Sequence, residues 1–274
     1  MLSGVHFHNK RKYCINSGVH MKILAIETSG KVCGTALLDG DTLVAEYNVQ
    51  YKKTHSQSLV PMMDEIKQMV GLELGTVDAI ALTKGPGSFT GIRIGAATAK
   101  GLGLALDRPL IPVPTVDAIA YNLYGTGGLV CPIMDARRSQ VYTGTYEFTE
   151  AESGKTSVMR TIRPQCVISI EETVDALNEL NRDVIFPGDG VPVYRDRIAE
   201  MAEFGYSFAP SHLALQRAAA TAELAMQYWK ESGDKCFVDA DSFRPEYLRV
   251  SQAERERAEG IDTSKVVKRG KTNQ

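Results

Sequence analysis

The chain is short of the residues that usually announce a chemistry. Its five cysteines, Cys14, Cys33, Cys131, Cys166 and Cys236, are odd in number, scattered and never spaced C-x-x-C. That excludes a zinc knuckle or a disulfide framework and fits free thiols in a reducing, cytoplasmic setting. The five histidines, His6, His8, His20, His55 and His212, include no helical i, i+4 metal pair. No run of eighteen apolar residues exists, so a membrane-spanning helix is excluded. Charge of one sign is lacking too: 31 Lys and Arg against 33 Asp and Glu leave a net charge of −2. A nucleic-acid-binding domain would show a basic excess or stripe. The P-loop pattern G-x-x-x-x-G-K-[ST] and the dinucleotide pattern G-x-G-x-x-G are both absent, and no Ser/His/Asp set can be assembled by spacing. What remains is an ordinary globular composition, with 43% hydrophobic and 23% charged residues over 274 positions. It suits one large or two modest domains.

The most informative stretch is Val77 to Leu106. It reads as a buried strand to Leu82, a glycine turn over Lys84 to Ser88, and then a helix. That helix carries Gly91, Gly95, Ala99 and Gly103 at every fourth position. Each glycine inside a helix costs about 1 kcal/mol against alanine, so a bare stripe needs a structural return. One return is a tight packing seam. The other is a phosphate cradle, because a strand–glycine turn–helix unit aims backbone N–H groups at an anion. Both stay open on spacing alone.

Residues 1–20 match nothing that follows and contain no signal-peptide core. They are expected to be a disordered extension, or Met21 is the natural start. From Met21 three strands are expected (Lys22 to Glu27, Cys33 to Leu38, Thr42 to Tyr51), with Glu27 and Thr28 exposed at the end of the first and Ser29 after them as a further candidate for the cleft. A helix from Gln57 to Val70 follows, capped by Ser56 or Ser58. Its apolar residues, Leu59, Met62, Met63, Ile66 and Met69 with Val60 and Val70, exceed what one buried face requires. They fit either ordinary core or a second face for a partner, for which methionine is adaptable. After the glycine stretch come a strand at Leu110 to Val113, a helix at Thr115 to Leu123 and a glycine-rich break at Tyr124 to Gly128.

The order then repeats. Leu129 to Met134 ends at Asp135, Gln140 to Phe148 and Ser157 to Val167 read as strands, and Ser169 with Glu172 forms a capping box for a helix to Leu180. Val184 to Phe186 runs into Gly188-Asp189-Gly190. Each half thus has an acid after its first strand and a glycine turn after its fourth, an internal repeat of topology. Two more helices are expected, at Val193 to Phe204 and Leu213 to Ser232. The division is 1–20, an N-terminal half over 21–124, a second half with the C-terminal helices over 125–250, and a charged tail over 251–274. Two such halves suit a nucleotide held between them. Glu27 and Asp135 would face Mg²⁺ or an attacking water. Gly85, Gly87, Ser88, Gly188, Asp189 and Gly190 would face phosphate or adenosine. The alternative is that the acids cap turns and the glycines merely connect elements.

The segments MKILAIETS, THSQSLVPMMDEI, TKGPGSFTGIRIGAATAKGLGLAL, DARRSQVY and PEYLR resemble the bacterial TsaB family. The similarity spans Met21 to Arg249, and GPGSFTGIRIG is its most specific part. The resemblance implies an α/β fold of the actin-like ATPase type, two RNase H-like domains in tandem. It also implies a role in making threonylcarbamoyladenosine beside the anticodon of tRNA, as an accessory subunit to the catalytic relative TsaD, with TsaE in the larger complex. Catalytic relatives carry an H-x-x-x-H metal pair after the segment written here LIPVP. Thr115 and Ile119 stand at those positions, and a hydroxyl with an aliphatic group cannot replace two imidazoles. No metal and no cofactor is therefore expected to be required, ATP or ADP being the ligand a vestigial cleft would take. The family also implies a helical bundle with the partner, here through Leu59, Met62, Met63, Ile66, Gly91, Ile92, Gly95, Ala99 and Gly103. Left without that partner, such a face is expected to form a symmetric homodimer. The competing expectation is an autonomous ATP-using kinase or ATPase of the same fold, with Glu27 or Asp135 as base.

Overall fold

The computed structural model describes residues 20–51, 54–150 and 157–249. The expected extension, His20 apart, and the charged tail lie outside them. The first sheet contains β1 (Lys22–Glu27), β2 (Cys33–Asp39) and β3 (Thr42–Val49). Helix α1 (His55–Val70) follows, then β4 (Ala79–Gly85), α2 (Phe89–Leu106), β5 (Leu110–Pro114) and α3 (Thr115–Tyr121). Strand order is β3-β2-β1-β4-β5, antiparallel across β1, β2 and β3 and parallel across β1, β4 and β5.

β1 is a continuous apolar run because both faces of the sheet are covered. Its side chains alternate between the two sides. Leu24 and Ile26 lie with Leu59, Met62, Ile66, Ala96 and Ala99 beneath α1 and α2. Ile23 and Ala25 meet a helix from the far end of the chain, α6 (Ala218–Ser232).

The second sheet is built from β6 (Leu129–Val130), β7 (Ile133–Asp135), β8 (Gln140–Glu150) and β9 (Ser157–Ser169). After α4 (Ile170–Leu180) come β10 (Val184–Phe186), α5 (Val191–Met201) and β11 (Tyr206–Phe208). β6 and β7 are the expected first strand, broken at Pro132, which has no N–H for the ladder. Both pair antiparallel with β8, β8 pairs antiparallel with β9, and β10 runs parallel between β6 and β11. This is the strand pattern of the first sheet over again. α3 joins the halves: Val116, Ile119 and Ala120 pack with Val130, Met134 and Tyr146, and the Tyr146 hydroxyl donates to Asp117 at 2.6 Å.

Three expectations need correction. The C-terminal helix belongs in space with the first sheet rather than the second half: Ala218, Ala222, Ala225 and Met226 are buried against Ile23, Ala25, Ala36 and Leu38. It also begins at Ala218 and not at Leu213, because the preceding stretch runs along the second half, where the Ala214 carbonyl accepts the Gly188 N–H at 2.6 Å. Helix α1 starts at His55 behind Thr54, ahead of Ser56 and Ser58, which places Pro61 in its second turn.

Candidate functional site

Glu27 and Thr28 are not exposed at the end of β1 but buried, at 0% and 1%, as is Ser29 at 0%. The Glu27 carboxylate accepts the backbone N–H of Ser29 at 2.7 Å and also its hydroxyl. Thr221 of α6 donates to the other oxygen at 3.5 Å. Burial raises this carboxyl from 4.5 to about 7, against the lowering pull of the Ser29, Thr83 and Thr221 hydrogen bonds. The acid expected to face Mg²⁺ or water is instead sealed under α6.

The glycine turn Gly85 to Ser88 is lined by the chain's own backbone. A Cβ on Gly87, where φ is 156°, would stand 2.2 Å from the Ser29 carbonyl oxygen. Ser88 N–H donates to that same oxygen at 2.6 Å. The Ser88 hydroxyl caps α2 by accepting Gly91 N–H at 3.2 Å. A Cβ on Gly85, with φ 115°, would stand 2.2 Å from the Glu246 carbonyl oxygen. Glu246 belongs to the PEYLR segment, an extended strap that returns from Val238 opposite Leu110. The strap receives the Lys100 ammonium at the Asp241 carbonyl at 3.0 Å. It docks on the turn through Glu246 N–H to the Lys84 carbonyl and a Lys84–Glu246 ion pair, both 2.7 Å. Two donors a phosphate could use, the Ser88 N–H and the Lys84 ammonium, are spent on Ser29 and Glu246.

The small-residue stripe is an inward seam. A Cβ on Gly91 would meet the Thr28 carbonyl oxygen at 2.1 Å, one on Gly95 the Thr28 hydroxyl at 2.3 Å, and one on Gly103 the Ala240 Cβ at 2.9 Å. Leu59, Met62, Ile66, Ile92 and Ala99 are likewise buried in the first core. Of the nine residues expected to meet a partner, only Met63 keeps surface, because the same apolar stripe that could dock elsewhere is consumed by β1 and β4. What α1 and α2 offer outward is their other face. Val60 is 57% exposed, and an apolar groove of about 360 Å³ runs between the helices past Val60, Met63, Leu74, Ala97, Gly101 and Leu102. A Cβ on Gly101 would meet nothing within 4 Å. Val60 and Met63 stand out in the sequence as surplus apolar residues, but nothing in it phases α2, whose glycines fall on both faces.

The second glycine turn keeps an open cleft beside it. Gly188 (φ 117°) and Gly190 pack on the Ile133 carbonyl, which accepts Gly190 N–H at 2.8 Å. Asp189 lies 3.9 Å from Lys31 of the β1–β2 loop, and its Oδ1 is buried without a hydrogen-bond partner. Burial raises its carboxyl, Lys31 opposing and Asp135 adding to the shift. A cavity of about 440 Å³ opens here between the halves, with Lys31, Gln50, Asp189, Arg195, Phe186 and Phe208 in its wall. Lys31 and Arg195 carried no sequence signal. Asp135 takes the Arg137 N–H at 2.8 Å and the Tyr194 hydroxyl at 3.4 Å, so it is held within its own half, and no contact joins it to Glu27 among the described residues. Thr115 and Ile119, which the resemblance sets where a catalytic relative would carry its histidine pair, are both fully buried.

Two halves of one strand pattern, packed on either side of α3 around a common cleft, define the actin-like ATPase architecture of paired RNase H-like domains. A family model for TsaD, the tRNA N6-adenosine threonylcarbamoyltransferase, matches residues 44–257. The tRNA threonylcarbamoyladenosine biosynthesis protein TsaB of Bacillus subtilis strain 168 is 33% identical over 235 residues, 85% of this chain and 96% of its own length. The TsaB protein of Haemophilus influenzae Rd is 33% identical over 237 residues, 84% of this chain and 94% of its own. The solved structure of YeaZ from Pseudomonas aeruginosa superposes with a TM-score of 0.68 at 30% identity, covering 83% of this chain and all of that one. The chain belongs to the TsaB family.

Proposed function

We propose that the chain is an accessory subunit that binds and orders TsaD for threonylcarbamoyl transfer to the adenosine beside the anticodon of tRNA, TsaE joining the larger complex. The observation that carries this reading is the solvent-open groove between α1 and α2, where Val60, Ala97 and Gly101 form an apolar surface that nothing among the described residues covers. An exposed, contiguous apolar patch on two packed helices suits a helix pair of a partner. A non-catalytic role is supported by the chemistry present: Glu27 is sealed from the cleft, and Thr115 and Ile119 offer no imidazole. Among the described residues no three His, Cys, Asp or Glu side chains gather at one point.

Purified TsaD and TsaE should modify tRNA poorly alone and gain activity when this chain is added. Full activity without it would refute the reading. The cleft at Lys31, Asp189 and Arg195 supports a second reading, retained ATP or ADP binding between the halves. Calorimetric titration of the full chain with ADP, repeated on Lys31→Gln, decides it: heat that is the same in both assigns the nucleotide elsewhere.

A further inference from the structure

Net charge conceals a local arrangement. The PEYLR strap carries the ring of Tyr247 to the start of α2, where it lies 5.1 Å from Phe89. The Arg93 guanidinium sits 3.8 Å above the Phe89 ring and donates to the Tyr247 hydroxyl at 3.2 Å. Arg249 then donates to the carbonyls of Ala136 and, at 3.4 Å, Arg137. That ties the strap to the turn between β7 and β8. Phe89, Arg93, Tyr247, Arg249, Arg137 and Arg138 therefore form one continuous strip crossing from the first half to the second.

The turn itself is unusual. Arg137, Arg138 and Ser139 all hold left-handed backbone, with φ of 67°, 55° and 57°, a region that residues other than glycine seldom enter. Three in succession display two arginine side chains outward, both exposed. Strain of this kind concentrates where a displayed group is used. Nearby carboxylates leave most of the charge free. Asp135 pairs with Arg137 at 3.6 Å and Glu246 with Lys84 at 2.7 Å, whereas Arg93, Arg138 and Arg249 enter no ion pair among the described residues.

We propose that this strip binds the phosphodiester backbone of RNA. Spaced guanidinium groups, three of them without an ion pair among the described residues, beside the exposed Tyr247 ring match a charged strand that also presents stackable bases. The inference rests on the reading above that the chain works on tRNA within an assembly. It adds that this subunit touches the RNA itself.

The test is fluorescence titration of a labelled tRNA transcript against the full chain, and against its complex with TsaD, between about 50 and 200 mM salt. Arg137→Asn/Arg138→Asn suits the left-handed turn, asparagine entering that region readily. Arg93→Gln probes the other end, and Arg182→Gln serves as a control. Either strip variant should weaken binding about tenfold at low salt and lower the salt slope by roughly 0.8 for each phosphate no longer neutralised, with the control unchanged. Equal affinity and slope in the variants would overturn the strip. Loss of TsaD co-purification with RNA binding intact would assign it to a protein and overturn it as well. A chain that fails to stimulate tRNA modification in its unaltered form refutes the accessory reading. One that stimulates normally while the variants bind tRNA like the parent refutes the strip alone.

Discussion

A Cβ on Gly95 would stand 2.3 Å from the hydroxyl oxygen of Thr28, while one on Gly101 of the same helix would meet nothing within 4 Å. α2 therefore has a face that must be bare to reach its sheet and a face that is bare toward solvent. Gly95→Ala gains about 1 kcal/mol of helix propensity. It pushes on a buried side chain with nowhere to go, at a cost of roughly 1–3 kcal/mol, so the net effect expected in urea unfolding is destabilisation. Gly101→Arg, which meets no obstruction, should gain up to about 1 kcal/mol of helix propensity, and Val60→Glu should stay within about 0.5 kcal/mol of the parent's stability; both should abolish co-purification with TsaD. Partner binding retained by both surface variants removes the groove from the interface.

The protonation of Glu27 sets a pH dependence. Its carboxyl is raised by burial from 4.5 to about 7, so the folded state holds the proton more tightly than the unfolded chain. Stability from this group is complete below pH 4.5 and is lost as pH rises through about 7. The shift corresponds to a change on the order of 3 kcal/mol. Glu27→Gln keeps an acceptor for Ser29 N–H without a charge to desolvate. Its urea midpoint should change less between pH 5 and pH 8 than the parent's. Parallel curves for the two proteins would show that the carboxyl stays ionised when folded.

Ser169 caps α4 by accepting Glu172 N–H at 3.1 Å, and Glu172 returns the bond by accepting Ser169 N–H at 2.8 Å. Ser169→Ala should cost about 1 kcal/mol, read as a shift in denaturation midpoint with the groove and its partner binding unaffected. No shift would mean the box contributes nothing beyond what water supplies.

The strap crosses the glycine turn and is tied to it at Lys84. Glu246→Ala removes the 2.7 Å ion pair with Lys84 but keeps the backbone bond to the Lys84 carbonyl. Because the pair is partly exposed, the loss expected is below about 1 kcal/mol. Amide exchange at Glu246 should accelerate several-fold while amides of β1 and β4 exchange as before. Equal acceleration throughout would place the strap within the global folding unit.

Much of the architecture is legible in residue order. Apolar runs at Lys22 to Glu27 and Val184 to Phe186, the Ser169–Glu172 box, and the recurrence of acid and glycine turn at Glu27/Gly85 and Asp135/Gly188 mark the repeat, because periodicity and cap chemistry are local properties. The groove is only half legible. Val60 and Met63 stand out as surplus apolar residues, but the stripe Gly91, Gly95, Ala99 and Gly103 reads equally as seam toward the chain or toward a partner.

What the sequence determined by itself was the set of elements, their repetition, and the helix that had to be approached closely. Tertiary structure decided what approaches it. Thr28 and the strap, distant in sequence, fill the bare face and the glycine turn, and α6 returns to seal Glu27. Which of two small-residue faces is buried depends on contacts between segments far apart in the chain, and a one-dimensional pattern carries the spacing of those faces but not the partner on either side.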